Sequence, residues 1–214
     1  MIDCTKALQR PEEIEALYAA VSKIKPKTIV EIGTANGGTT ILWAEIVRKN
    51  NGRVIGIDLF KSKGWPKEWT WVDVETGEIR KFPIWYRGTP LEDYITEIKG
   101  DSNSKEVFDE VVSALNGKPI DFLFIDGGHR YTTVKKDWDL YHGLVREGGL
   151  IALHDIAERG DYGKQWGVEV YKLWDEIQHM SAYQTEEFIS PPVKLTKPSG
   201  ETQDSSMGIG LIRV

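Results

Sequence analysis

The stretch FLFIDGGHRYTTVKKDWDLYHGLVREGGLIALHDI, from Phe122 to Ile156, sets acid and histidine at two corresponding places. Asp126 and His129 follow one apolar run in Asp-x-x-His spacing, and His154 and Asp155 close the next. The two runs read as buried strands joined by a helix. In a parallel α/β sheet, strands joined that way bring both acids to one carboxyl edge. Two carboxylates converging there need a cation or a proton between them. The four side chains therefore read as one ionisable cluster, able to hold a cation or to carry a proton.

A second group of residues has the form of a ligand loop. VEIGTANGGTT places Glu31, Gly33, Thr34, Gly37 and Gly38 at a strand end just before a helix. Glycines let a backbone turn sharply and approach a ligand closely. Asp58 closes the next strand, RVIGIDLF, where a carboxylate can take both hydroxyls of a ribose. Turn and acid together point to a cofactor containing a nucleoside. The nicotinamide fingerprint G-x-G-x-x-G is incomplete, because Thr34 and Ala35 follow Gly33 and the second glycine is missing. Glu31 would also repel a pyrophosphate, and is better matched to a cofactor with a cationic amine.

The elements that must position these groups are legible from period and punctuation. Pro11-Glu12-Glu13 opens a helix with Ile14, Leu17, Tyr18 and Val21 on one face. TIVEIG, RVIGIDLF, ITEIKGDS, IDFLFID and GLIALHDI read as strands. Helices alternate with them: TTILWAEIVRKNNG; a helix capped at Asn103 with Glu106; one carrying Tyr131, Val134, Trp138, Tyr141 and Val145; and GVEVYKLWDEI. FIS and GIGLIRV form an antiparallel pair closing the sheet. The expected architecture is one domain over 1–214, a doubly wound, mostly parallel, seven-stranded α/β sheet.

Composition sets the outer bounds. The chain has 214 residues, 40% hydrophobic and 28% charged, with a net charge of −6. That is an ordinary globular balance, without the broad positive surface that grips nucleic acid. No apolar run approaches the ~20 residues of a membrane span. The N-terminus lacks the basic-then-apolar order of a signal peptide, and Cys4 is the only cysteine. A reducing cytoplasm is the expected compartment. Residues 61–91 interrupt the alternation with Trp65, Trp69, Trp71, Trp85 and Tyr86, and read as a hairpin around Thr76-Gly77 inserted after the second strand. These aromatics suit either a substrate platform or the hairpin's own core and an oligomer contact. RGDYGKQWG, Arg159 to Gly167, is a candidate lid. His142 and His179 fall inside helices and read as structural.

The segment Glu31-Ile-Gly33-Thr-Ala-Asn-Gly37 resembles the first motif of the class I S-adenosylmethionine-dependent methyltransferases, acid-x-Gly-x-Gly-x-Gly, with Ala35 at the middle glycine. The resemblance runs from about Lys27 to Val214. It implies a Rossmann-like methyltransferase fold in which Gly33 to Gly38 hold the methionine part of the cofactor, Glu31 lies behind them, and Asp58 binds the ribose. Asp101-Ser102 in KGDSNS would then lie near the adenine, and Asp126 beside the cofactor. The cluster further resembles the metal-dependent small-molecule O-methyltransferases acting on macrolide sugars, and the cephalosporin-hydroxylase-like group. That likeness implies Asp126, His154 and Asp155 as ligands of a divalent metal and His129 as catalytic base. His154 stands where those relatives carry a carboxylate. An imidazole tilts the site from magnesium toward manganese or iron, or else leaves it without metal, with His154 orienting the acceptor or acting as base. The implied reaction is O-methylation of a sugar or other small hydroxylated metabolite, with no nucleic-acid or membrane partner. The alternatives are a nicotinamide-dependent oxidoreductase and a non-catalytic protein retaining the fold.

Overall fold

The computed structural model describes residues 3–59, 68–72, 79–196 and 202–214. After a helical turn at Cys4–Lys6, the elements run α1 Pro11–Lys23, β1 Thr28–Ile32, α2 Gly38–Lys49 and β2 Arg53–Asp58. A strand pair follows, β3 Glu68–Val72 and β4 Ile79–Pro83, then β5 Ile95–Lys99, α3 Lys105–Leu115, β6 Ile120–Ile125 and α4 Tyr131–Tyr141. The rest are β7 Val145–His154, α5 Asp161–Trp166, α6 Val170–Gln178, β8 Gln184–Phe188, β9 Val193–Thr196, β10 Thr202–Ser205 and β11 Ile209–Arg213.

Seven strands form the main sheet in the order β5-β2-β1-β6-β7-β11-β8. The first five pair in parallel, while β11 runs antiparallel to both β7 and β8. This is the doubly wound, mostly parallel sheet expected from the alternating pattern. After β2 and β5 have been laid on one side of β1, the chain crosses to the other side with β6. That reversal opens a crevice at the carboxyl ends of β1 and β6, the usual ligand position in such sheets.

The central strands are apolar on both faces because both faces are covered. Ile29, Phe122, Phe124, Leu150 and Ala152 point toward α1 and α2, where Trp43 meets Phe122 and Phe124 edge-on at 5.1 and 5.8 Å. Val30, Leu123, Ile125, Ile151 and Leu153 point the other way, toward α3, α4 and α6. Each such Val, Leu, Ile or Phe side chain contributes about 1.5–3 kcal/mol when fully buried. Because side chains alternate along a strand, a one-residue register slip would invert both cores, so the strand ends are fixed in place.

Several local expectations are corrected. The N-cap of α3 is Ser104, whose side chain accepts from the Val107 N–H at 3.2 Å, not Asn103. Asn103 instead donates to Asp137 on α4 at 2.5 Å. Val145 does not extend the apolar face of α4: the turn His142–Leu144 ends the helix and Val145 opens β7. Strands β3 and β4 pair antiparallel with Trp69 opposite Phe82; Trp65 and the expected Thr76-Gly77 turn lie outside the described residues. Tyr86 belongs to the main core at 1% exposure. His142 and His179 donate through Nδ1 to helix carbonyls of Trp138 and Asp175, as structural histidines do. Among the described residues no helix is long and apolar enough to cross a membrane.

Asp137 is buried, and burial pushes its carboxyl up to about 6 from 3.8. A raised acid binds its proton more tightly in the folded chain, so its stabilisation is complete at low pH and lost as pH rises through about 6. Asp137→Asn cannot ionise. In urea unfolding from about pH 4 to pH 8, the variant should gain about 1–3 kcal/mol on the wild type; parallel pH profiles would contradict this.

Candidate active site

Strand ends are drawn together past the last ladder residues. Gly33 N–H donates to the Ile57 carbonyl at 2.9 Å, Asp126 N–H to Ile32 at 2.8 Å, and Gly100 N–H to Asp58 at 3.0 Å. Gly33 has φ +89, and a Cβ there would lie 2.0 Å from the Asp126 carbonyl oxygen. Only glycine lets β1 leave the sheet so close to β6. The result is a cleft of about 540 Å³ across the carboxyl edge of β5, β2, β1, β6 and β7.

One end of the cleft carries Thr34, Asp58, Asp101 and Ser102. Asp58 accepts from the Ala35 N–H at 2.8 Å, which ties the glycine turn to the end of β2. Ala35 itself has φ +45, a left-handed conformation that an L side chain adopts only under strain. The loop bearing Asp101 and Ser102 is anchored from α4: Asn103 bonds Asp137, and the Tyr141 hydroxyl donates to the Ser102 carbonyl at 2.9 Å.

The other end carries Asp126, His129, His154 and Asp155. His154 Nδ1 lies 3.0 Å from Asp126 Oδ1 and 3.4 Å from Asp155 Oδ1. Burial alone would lower this imidazole, but the charges of Asp126 and Asp155 hold it well above the usual histidine range. His129 Nδ1 lies 2.8 Å from Asp155 Oδ2, and this hydrogen bond raises the His129 imidazole. Against the cost of burial, His154 and His129 hold the Asp155 carboxyl far below its ordinary value. Asp155 has φ +63, which turns its carboxylate back from the strand end toward both rings; aspartate tolerates this conformation better than most residues. His154 Nε2 is buried with no hydrogen-bond partner among the described residues.

The four residues flagged by spacing are thus brought together. Three residues of the expected cofactor site, Glu31, Gly37 and Gly38, lie behind the cleft wall, Glu31 where the resemblance puts it. Glu31 is fully buried beneath it, its two oxygens taken by the hydroxyls of Thr39 and Thr40, the latter at 2.5 Å. Burial pushes the Glu31 carboxyl up to about 7. Gly37 packs under the Tyr86 ring, where a Cβ would come within 2.4 Å, and Gly38 packs on the Lys6 carbonyl. Both close approaches seat the turn and the start of α2. The segment Arg159 to Gly167 contains α5, and its Trp166 reaches the cleft.

Sequence reasoning missed Gln9. It is 6% exposed, lines the cleft, and donates through Nε2 to Asp126 Oδ2. A glutamine ahead of a helix carries no sequence signal; only the fold brings it to residue 126.

A family model described as a methyltransferase domain matches residues 30–156, and the chain belongs to that family. Uncharacterized protein R132 of Acanthamoeba polyphaga mimivirus is 34% identical over 150 residues, 70% of this chain and 58% of that protein. The chain therefore spans a little over half the length of that relative. The O-methyltransferase TomG from Streptomyces achromogenes, solved with S-adenosylmethionine, superposes with a TM-score of 0.59 at 15% identity, over 97% of this chain and 82% of that one. A candidate rRNA-methylase from Clostridium thermocellum gives 0.60 at 15% identity, over 97% and 100%. At such identities the two structures establish the shared fold.

Ala35→Gly should relieve the left-handed strain, offset in part by glycine's chain entropy. A net gain of about 0.5–1 kcal/mol in urea unfolding is expected; a loss of stability would show that the alanine methyl is held by packing.

Proposed function

We propose that the chain is an S-adenosylmethionine-dependent O-methyltransferase acting on a small hydroxylated acceptor such as a sugar. The observation that carries this reading is the division of one cleft: acids suited to a nucleoside at the ends of β2 and β5, and an Asp/His cluster at the ends of β6 and β7. Family membership and the cofactor bound to the TomG structure support it. Asp58 is assigned to the ribose, the Asp101-Ser102 loop to the adenine, and Gly33, Thr34 and Asp126 to the rest of the cofactor. Glu31 is assigned to the support of the turn.

Bound S-adenosylmethionine supplies a methyl group already activated by its sulfonium. The chain must then hold an acceptor oxygen in line at about 3–3.5 Å, an alignment able to lower the barrier by roughly 7–11 kcal/mol. His129 uses its Nδ1 toward Asp155, which fixes the neutral tautomer with Nε2 as acceptor for the hydroxyl proton. Asp155 thereby orients the base and stabilises the imidazolium that forms. At 47% side-chain exposure, His129 is also open to an incoming acceptor.

Asp126, His154 and Asp155 offer ligand atoms all within 4.8 Å of one another. Two carboxylate oxygens and an imidazole nitrogen fit a divalent transition metal better than magnesium. These residues would hold it, and it would acidify and position the acceptor hydroxyl.

Isothermal titration should show binding of S-adenosylmethionine and none of NAD; the reverse would remove the reading. His129→Ala should lower methyl transfer by roughly 10²–10⁴-fold, and a loss under about threefold would leave the base unassigned. EDTA and Asp155→Ala should each depress turnover, with manganese restoring the EDTA-treated enzyme. Activity indifferent to both treatments would remove the metal.

A further inference from the structure

Beside the cofactor cleft lies a second groove, of about 920 Å³, between the start of α1 and the segment leading into β9. The two cavities share Leu8, Gln9 and Met207, so they adjoin at the residue that bonds Asp126. Its rim carries exposed apolar side chains, Leu8 at 52%, Ile189 at 46% and Val193 at 45%, beside the exposed acids Glu12 and Glu187. Its floor is polar and buried. Glu13 is 1% exposed, and its Oε1 accepts from the Ser190 N–H at 2.8 Å. Glu13 Oε2, Gln9 Oε1 and Ser190 Oγ are each buried without a hydrogen-bond partner among the described residues. Leaving a buried polar atom unmatched costs about 1–3 kcal/mol, so three on one groove are a cost that a ligand would recover.

We infer that this groove is the acceptor subsite, built for a small molecule with hydroxyl or protonated-amine donors on an apolar body, and closed to anionic acceptors. The inference rests on the methyl-transfer reading above. Two of the three unmatched atoms, Glu13 Oε2 and Gln9 Oε1, can only accept, so they require donors. Glu12, Glu13 and Glu187 make the lining acidic. The guanidinium of Arg10 is committed to the carbonyls of Pro191 and Ser205, both at 2.7 Å, where it fastens the N-terminal segment across the groove. A carboxylate or phosphate would thus meet three acids against a single guanidinium that is already turned to backbone carbonyls. An acceptor seated on Leu8, Ile189 and Val193 presents its donors to Glu13 and Gln9. Gln9 then passes the reacting end toward Asp126 and His129.

The test uses the full chain loaded with S-adenosylhomocysteine, titrated with three probes sharing one aromatic aglycone: phenyl β-D-glucoside, phenyl β-D-glucosaminide and phenyl β-D-glucuronide. The glucoside and glucosaminide should bind, and the glucuronide at least about tenfold more weakly, a difference of about 1.4 kcal/mol. Glu13→Gln should weaken the glucosaminide by about tenfold or more while the S-adenosylhomocysteine affinity stays within about twofold. Val193→Arg, an exposed change at the groove rim, should block all three probes without altering the fold. Glucuronide binding as tightly as its partners, none of the probes binding, or probes indifferent to both substitutions would overturn the inference. If S-adenosylhomocysteine itself does not bind the wild type, the methyl-transfer reading fails instead.

Discussion

Two carboxylates buried within a few ångströms of each other repel strongly unless something positive stands between them. Here Asp126 and Asp155 leave neighbouring parallel strands at the same height, and the His154 ring lies between them with Nδ1 at 3.0 and 3.4 Å. A proton on the imidazole answers both charges, and they in turn hold it there. Asp155 reaches on to His129, so the charge that makes the cluster stable also orients the ring nearest the cleft mouth. The site is thus a chain of ionisable groups whose members fix one another's protonation.

That chain exists only because backbone geometry holds the strand ends in register. Gly33 allows β1 to turn away against the Asp126 carbonyl, and the left-handed Asp155 turns its carboxylate inward. Glu31, buried under the turn, is matched by two threonine hydroxyls rather than by a ligand, and Tyr86 closes the space over Gly37. On the far side, α4 holds the Asp101-Ser102 loop through Asp137 and Tyr141. Each of these contacts lies behind the cleft wall and sets where the wall stands.

The sheet was legible in the sequence because its strands are short apolar runs separated by amphipathic helices, a pattern whose period identifies them. The acidic and histidine residues at the ends of β6 and β7 were legible for the same reason: a parallel crossover places both ends on one edge. Less legible was anything set by side-chain reach. Ser104 rather than Asn103 caps α3 because Asn103 finds Asp137, a partner remote in sequence. Glu31 reads from its position as lying behind the turn, but that Thr39 and Thr40, in the first turn of α2, take both its oxygens is set by side-chain reach. Gln9 comes to Asp126 across 117 positions, a contact without a periodic signature.

In the proposed reaction, one cleft at the carboxyl edge gathers a sulfonium donor and the Asp/His cluster around the same reacting atoms. A crystal structure of the chain with S-adenosylhomocysteine and manganese tests it most directly. The ribose should lie on Asp58, the adenine against the Asp101-Ser102 loop, the sulfur facing His129, and metal density among Asp126, His154 and Asp155. A nucleoside seated elsewhere on the molecule, or a sulfur turned away from the cluster, would contradict it.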